Sequence, residues 1–163
     1  MIPMSTNAPP SPNSEASNPT TPIESAPVCL RATPRVIECL SPLILVVEDD
    51  EDITRSLCIR LKYNGFEVET AATMDLALEQ LERLKPDAAI VDMSIPGGDG
   101  IMLLEHIRSQ AKSRDLPVII LTASVRGELE SNALAAGASC FMHKPFHAPD
   151  LLGELDRLTG REG

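Results

Sequence analysis

The 163-residue sequence contains no tryptophan, one tyrosine and three phenylalanines, so aromatic residues make up only 2% of it. Hydrophobic residues make up 43%, which is enough for one ordinary domain with an aliphatic core. No apolar run approaches the roughly 18 residues that a membrane-spanning helix needs. The N-terminus has neither the basic nor the apolar region of a secretory signal. We therefore expect a cytoplasmic protein that does not contact a membrane.

Cysteines and basic residues are also few. The four cysteines show no CxxC or CxxH spacing, which is typical of scattered cytosolic thiols. Only 14 residues are Lys or Arg, against 24 Asp or Glu, and the net charge is −10 at pH 7. A chain of this charge is not expected to bind nucleic acid by electrostatic attraction.

Residues 1–42 differ in composition from the rest of the chain. They hold nine of the 14 prolines and many Ser, Thr and Asn residues, and they show no hydrophobic periodicity. Such a segment buries too little apolar surface to offset the entropy of ordering, so we expect a disordered N-terminal tail. A folded domain over 43–160 and a short C-terminal tail over 161–163 complete the predicted organisation.

From residue 43 onward, short apolar runs alternate with segments of helical periodicity. The predicted strands cover 43–47, 66–70, 87–91, 117–121 and 139–142, and the predicted helices cover 52–64, 74–84, 101–110, 128–136 and 149–158. Five strand–helix units indicate an α/β fold with a doubly wound, five-stranded parallel sheet and helices on both faces. Right-handed crossovers leave few topologies, of which the flavodoxin-like strand order 2-1-3-4-5 is the commonest at this size.

Polar side chains stand where four of the apolar runs stop. Glu48 and Asp49 follow the first predicted strand and Asp92 follows the third. Thr122 follows the fourth strand, and Lys144 comes soon after the fifth. Because parallel strands bring their carboxyl ends to one edge of the sheet, we expect these side chains to converge in one small site.

The chemistry of this set of side chains favours phosphoryl transfer. Three carboxylates at close range repel one another unless one is protonated or a cation lies among them. Oxygen ligands suit Mg²⁺, which can hold a phosphoryl oxygen and neutralise charge during transfer. Asp92 could then attack phosphorus and form an acyl phosphate, with Lys144 as a second positive charge and Thr122 as a hydroxyl donor. The alternative, that residues 48–52 (EDDED) form only a solvated acidic face, leaves these three residues unexplained.

The motifs ILVVEDD, VDMSIPGGDG, ILTA and KPF follow one another in residues 43–160. In type, order and spacing they resemble the receiver domain of response regulators, the phosphoacceptor half of two-component signalling. The resemblance implies that Asp92 is the phosphorylated aspartate. It also implies that Asp49 ligates Mg²⁺ directly, that Glu48 acts through water, and that the backbone carbonyl of Ser94 is a further ligand.

The resemblance further implies that Thr122 and Phe141 form a switch pair. Movement of Thr122 toward the phosphoryl group would vacate space that the Phe141 ring can enter, a packing change with two discrete arrangements. Many relatives carry tyrosine in place of Phe141, so a hydrogen bond from that hydroxyl is unavailable here. Lys144 matches the lysine of the family, and Pro145 follows it in what is usually a cis peptide bond. A core role alone is the other interpretation of Phe141.

The resemblance implies two kinds of protein partner. The donor would be a phosphohistidine on a sensor histidine kinase or a histidine phosphotransfer protein, and the first helix is a plausible docking element for it. An unidentified downstream protein would bind the face formed by the fourth helix, fifth strand and fifth helix. Because only five residues follow the last predicted helix, we expect a stand-alone receiver, which catalyses only its own phosphorylation and dephosphorylation and needs no cofactor besides Mg²⁺.

Two other functions stay open. An aspartyl-phosphate hydrolase of small phosphoesters would usually carry a second aspartate two residues after the nucleophile, where this chain has Ser94. A phosphorylation-independent interaction module of the same fold would not need the complete set of site residues. The three histidines are not expected to be phosphodonor or metal sites: His106 lies on a helix with no partner at ligand spacing, and His143 and His147 are predicted to lie on the surface.

Overall fold

The computed structural model of the chain describes residues 41–161. Within this range, five parallel strands form one sheet: β1 (Leu43–Val47), β2 (Glu67–Ala71), β3 (Ala88–Asp92), β4 (Val118–Thr122) and β5 (Cys140–His143). The helices are α1 (Glu51–Tyr63), α2 (Met74–Arg83), α3 (Gly100–Ser109), α4 (Gly127–Ala135) and α5 (Ala148–Thr159). A short antiparallel pair, Ser94–Ile95 with Gly98–Asp99, lies in the connection from β3 to α3. The predicted tail lies outside the described residues except for its last two.

The strand order is β2–β1–β3–β4–β5, and every neighbouring pair of the sheet is parallel. This confirms the predicted doubly wound α/β fold and its 2-1-3-4-5 order. β1 lies between β2 and β3, so the direction of winding reverses between β1 and β3. In open α/β sheets, ligands bind beside the carboxyl ends of the strands at such a reversal.

Side chains of the central strands alternate between two aliphatic cores. Leu45 and Val47 of β1 pack on the side covered by α2, α3 and α4, and Ile44 and Val46 pack on the side covered by α1 and α5. Every residue of β3 and β4 is buried. Strands enclosed on both faces require continuous apolar runs, which is the pattern that the sequence shows.

Four strands end one residue later than predicted. β2, β3, β4 and β5 are each displaced by one position toward the C-terminus, whereas β1 has its predicted bounds. Asp92 and Thr122 are therefore the last residues of their strands, and their backbones are part of the sheet. These two residues of the polar site are therefore held by the rigid end of the sheet itself.

The start of α1 is fixed by Asp50. Its Oδ1 accepts hydrogen bonds from the backbone N–H groups of Asp52 and Ile53, both at 2.9 Å, so Asp50 is the N-cap. α1 accordingly begins at Glu51, one residue before the predicted start. The third acid of the EDDED run thus has a structural role at the helix end.

Arg161, which the sequence placed in a C-terminal tail, is packed against the domain. Its guanidinium lies 4.4 Å from the centre of the Phe66 ring, and its Nη2 donates a 2.9 Å hydrogen bond to the carbonyl of Asn64. These contacts join the end of α5 to the turn between α1 and β2. Among residues 41–161, no helix is both long and apolar enough to cross a membrane.

Candidate functional site

The carboxylates of Glu48, Asp49 and Asp92 converge at the carboxyl ends of β1 and β3. One oxygen from each lies within 4.8 Å of the others. Glu48 is 4% exposed and Asp92 is 8% exposed, whereas Asp49 is open to solvent. The site therefore contains two enclosed acids and one accessible acid.

Lys144 brings a positive charge to this cluster. Its Nζ lies 2.6 Å from Oε2 of Glu48 and 3.4 Å from Oδ2 of Asp92. Its backbone N–H donates a 2.7 Å hydrogen bond to the carbonyl of Thr122, which extends the pairing of β4 with β5. The Lys144–Pro145 peptide bond is cis. The ammonium group thus contacts both enclosed carboxylates from a backbone position that the sheet fixes.

Both carboxylate oxygens of Glu48 have partners. Oε2 accepts from Lys144, and Oε1 accepts from the backbone N–H of Asp50 at 3.3 Å. Burial raises the pKa of Glu48, and the negative charge of Asp92 raises it further, while the hydrogen bond and charge of Lys144 act in the opposite direction. Lys144 is therefore the main side chain that favours the ionised form of Glu48.

Thr122 ends β4 beside Asp92 and is 2% exposed. Its Oγ1 accepts a 3.0 Å hydrogen bond from the backbone N–H of Ser124. A hydroxyl that accepts one hydrogen bond still has a proton to donate. Thr122 can therefore donate to an oxygen bound at this end of the sheet.

Phe141 lies in β5 opposite Ile120 and is half-buried against the core on the α4 side. Its ring meets the ring of His143 edge-on, with centres 5.3 Å apart and planes at 81°. The neighbouring α4 buries only Ala133 among its nine residues, all of which the structure describes. The partly exposed ring thus adjoins the side of a weakly packed helix.

The backbone after Asp92 is held close to the start of α3. Ser94 lies in the short antiparallel pair opposite Asp99, and the N–H of Gly100 donates a 2.9 Å hydrogen bond to the carbonyl of Met93. A Cβ at Gly100 would lie 2.8 Å from the carbonyl oxygen of Asp92. Glycine at this position therefore lets α3 approach the backbone of Asp92.

A cleft of about 860 Å³ opens beside Lys144, between α1 and the β5–α5 connection. Its α1 wall includes Asp52, Ser56 and Arg60, and its other wall includes Phe146. No local sequence signal indicates this cleft, because its two walls are far apart in the chain. It extends the candidate site sideways from Lys144 along the first helix.

The three histidines, His106, His143 and His147, are exposed. Cys58 and Cys140 carry free thiols whose pKa is raised by burial. Cys29 and Cys39 lie outside the described residues.

The contact of Thr54 with the site was not predicted from the sequence. Its Oγ1 donates a 3.3 Å hydrogen bond to the carbonyl of Glu48, and no local sequence signal indicates this contact.

This fold and its acidic site define a receiver domain. The sequence model described as the response regulator receiver domain matches residues 44–156, and the chain belongs to that family, which acts in two-component signal transduction. The phosphate regulon transcriptional regulatory protein PhoB of Escherichia coli K12 is 36% identical over 118 residues, which cover 72% of this chain and 52% of PhoB. The chain thus spans about half the length of the curated relatives it matches.

Solved structures give the same family. A putative response regulator from Chloroflexus aurantiacus J-10-fl superposes with a TM-score of 0.71 at 31% identity, covering 74% of this chain and 99% of that one. The receiver domain of the sensor histidine kinase PA1611 from Pseudomonas aeruginosa PAO1 gives a TM-score of 0.68 at 32% identity, covering 74% and 98% of the two chains. In that crystal structure a magnesium ion is coordinated in the active-site cleft.

Proposed function

We propose that this receiver domain accepts a phosphoryl group on Asp92 from a phosphohistidine of a sensor histidine kinase or phosphotransfer protein, in a Mg²⁺-dependent reaction. The modified domain then signals through a changed protein-binding surface. The observation that carries this function is the position of Asp92. It is an enclosed carboxylate that shares its site with two further acids and lies 3.4 Å from the ammonium group of Lys144.

The residues present fit a magnesium ion. Three carboxylate oxygens lie within 4.8 Å of one another, and hard oxygen ligands with room for water are what Mg²⁺ prefers. Asp49 and Asp92 would hold it together with the backbone carbonyl of Ser94, and Glu48 would contribute through water. When bound, Mg²⁺ neutralises the carboxylates and stabilises negative charge on the phosphoryl oxygens.

Asp92 supplies the nucleophile. Its carboxylate oxygen forms a bond to phosphorus while the phosphorus–nitrogen bond of the donor breaks, and that electron pair returns to the imidazole nitrogen. The other ring nitrogen of the donor carries a proton, so a neutral imidazole leaves and an acyl phosphate remains on Asp92. Lys144 would pair with one phosphoryl oxygen, and the Thr122 hydroxyl would donate to another.

The cleft beside Lys144 supports a docking site for the donor protein. α1 forms one wall of this cleft. Its exposed charged residues are two acids in the first turn, Glu51 and Asp52, followed by Arg55, Arg60 and Lys62, in a chain whose net charge is −10. Ile59 and Tyr63 of the same helix are 64% and 90% exposed. The part of α1 after its first turn is therefore basic and has exposed apolar side chains, which favours an acidic partner surface that also buries apolar groups.

The output would pass from Thr122 to the face formed by α4, β5 and α5. Thr122 leads into the β4–α4 connection, and α4 has no side-chain cap at its N-terminal end. Movement of Thr122 toward a phosphoryl group would change the space available to Phe141 and the position of this lightly packed helix. A downstream protein that binds this face would distinguish the two arrangements.

Phosphate labelling tests the acceptor. The chain is incubated with Mg²⁺ and labelled acetyl phosphate or a phosphorylated kinase, and we expect base-labile phosphate on the wild type and none on Asp92→Asn. Asp115→Asn, an exposed aspartate outside the carboxylate cluster, is the matched control and should keep its label. Equal labelling of Asp92→Asn would contradict the assignment, and repeated release of phosphate from a small phosphoester would favour a hydrolase.

A further inference from the structure

His143 lies beside both residues of the proposed switch pair. It is the last residue of β5, and its backbone is opposite that of Thr122, the last residue of β4. Phe141 comes two residues earlier in β5, so its side chain and that of His143 lie on the same face of the sheet. Thr122, Phe141 and His143 therefore occupy neighbouring positions on the face that α4 covers.

The ring of His143 contacts the ring of Phe141 edge-on. Their centres are 5.3 Å apart and their planes meet at 81°. Edge-to-face pairs at this separation are favourable beyond the apolar area that they bury. Phe141 is half-buried against the core, whereas His143 is exposed. The Phe141 ring thus lies between the core and an exposed imidazole ring.

The position of the Phe141 ring depends strongly on this contact. Phenylalanine has no hydroxyl group, so no hydrogen bond from the side chain can fix the ring in either arrangement. The adjacent helix α4 buries only Ala133 among its nine residues. Within residues 41–161, His143 has the only aromatic ring that pairs with Phe141.

We propose that His143 is a positioning residue that holds the Phe141 ring in its partly exposed position until Asp92 is phosphorylated. Movement of Thr122 toward a phosphoryl group vacates space on the same face, called here the inward position, and the ring must leave His143 to enter it. An edge-to-face pair corresponds to about a two- to tenfold bias in such an equilibrium. This role rests on the proposed function, because a phosphoryl group on Asp92 is what displaces Thr122.

Fluorine NMR tests the resting position of the ring without phosphorylation. The chain has three phenylalanines, so 4-fluorophenylalanine gives three signals, and the Phe141 signal is assigned from its loss in Phe141→Leu. The change of that signal between H₂O and D₂O measures the exposure of the ring. We expect His143→Val to reduce this change, because the ring no longer has an edge-on partner and moves inward. Valine favours strand structure, so β5 should be kept.

A variant that keeps an aromatic ring separates the contact from other effects. His143→Tyr should leave Phe141 as exposed as it is in the wild type. His106→Val, at an exposed histidine of α3, is the matched control and should also leave it unchanged. Equal exposure of Phe141 in the wild type and His143→Val would overturn the proposal. An equal loss of exposure in His143→Tyr and His143→Val would overturn it as well.

Labelling with acetyl phosphate and Mg²⁺ then tests the link to Asp92. Coupling between two sites is reciprocal, so a variant whose ring already lies inward should be easier to phosphorylate. We expect His143→Val to be labelled about two- to tenfold faster than the wild type and His143→Tyr at the wild-type rate. Equal labelling rates despite a changed ring exposure would overturn the role of His143 in the switch. Absence of label from the wild type would instead contradict the proposed function, whatever the ring exposure.

Discussion

The guanidinium group of Arg108 binds the backbone carbonyl of Gly137 with two hydrogen bonds, from Nε at 3.2 Å and from Nη2 at 2.6 Å. Its Nη1 donates to the carbonyls of Arg114 and Leu116 at 2.9 and 2.8 Å. Burial lowers the pKa of Arg108, and the charge of Asp115 opposes this effect. One side chain in the last turn of α3 therefore holds together the α3–β4 connection and the turn after α4.

Removal of this guanidinium group should destabilise the domain. We expect Arg108→Ala to lower the free energy of unfolding by about 3 kcal/mol, because several partly buried carbonyls lose a charged donor. Arg108→Lys should lose most of the same stabilisation, since one ammonium group cannot reach all three carbonyls. Urea unfolding measures both, with the exposed Arg114→Ala as a control that should stay within about 0.5 kcal/mol. A lysine variant as stable as the wild type would show that charge alone matters.

Gly100 gives a second test, of the contact between α3 and the candidate phosphorylation site. A Cβ there would lie 2.8 Å from the carbonyl oxygen of Asp92 and 3.1 Å from Cα of Met93, so Gly100→Ala must displace the backbone at Asp92. We expect a loss of about 1–3 kcal/mol of stability and slower labelling with acetyl phosphate. The control is Gly153→Ala in α5, where nothing beyond the adjoining residues and the backbone of the helix itself lies within 4 Å of the added Cβ.

The control variant should behave in the opposite way. At an exposed position inside a helix, alanine is more stabilising than glycine by about 0.5–1 kcal/mol. Gly153→Ala should therefore stabilise the domain slightly and leave labelling unchanged. Thermal unfolding and labelling rates of the two variants measure this difference. If Gly100→Ala proved as stable and as active as Gly153→Ala, α3 would not need its close approach to Asp92.

The sequence predicts the fold because its signals are local. Continuous apolar runs identify β1, β3 and β4, since both faces of these strands are buried. Helical periodicity and right-handed crossovers then leave few strand orders. The last residue of each strand is less predictable, because the pairing with neighbouring strands, not the local sequence, decides whether Asp92 and Thr122 belong to the sheet.

The residues of the site could also be predicted, but their pairing could not. A polar residue after an apolar run is expected at the carboxyl-end edge of a parallel sheet. This pattern predicts that Glu48, Asp92 and Lys144 lie close together. That Lys144 lies nearer to Glu48 than to Asp92 depends on a side-chain contact between residues 96 positions apart. The role of Asp50 did have a signal, since aspartate before a helix is a common N-cap.

The repulsion among the site carboxylates predicts a third result. Asp92→Asn removes one enclosed negative charge, so we expect the metal-free variant to be more stable than the wild type. Mg²⁺ should stabilise the wild type by mass action, by about 2.7 kcal/mol at 100 times its dissociation constant, and should stabilise Asp92→Asn less. Thermal unfolding with and without Mg²⁺ measures both effects, and Asp115→Asn should respond to Mg²⁺ as the wild type does. If neither effect appeared, the three carboxylates would not act as one site.

The pKa of Glu48 predicts how stability depends on pH in metal-free protein. Burial is the main cause that raises this pKa above its ordinary value of 4.5, so folding favours the protonated form. A raised folded-state pKa gives a contribution that is complete below the unfolded value and is lost as the pH rises through the folded value. The stability of the wild type relative to Glu48→Gln should therefore decline in a window that begins near pH 4.5, and the difference should be constant above it.

Urea unfolding of the two proteins from pH 4 to pH 8 in the presence of a chelator measures this decline. Glu51→Gln controls for the removal of one acidic charge from the same run, because this glutamate is exposed at the start of α1. A difference between wild type and Glu48→Gln that stays constant over the whole range would mean that folding leaves the pKa of Glu48 unchanged. In that case the ion pair with Lys144 would lower the pKa of Glu48 by as much as burial and the charge of Asp92 raise it.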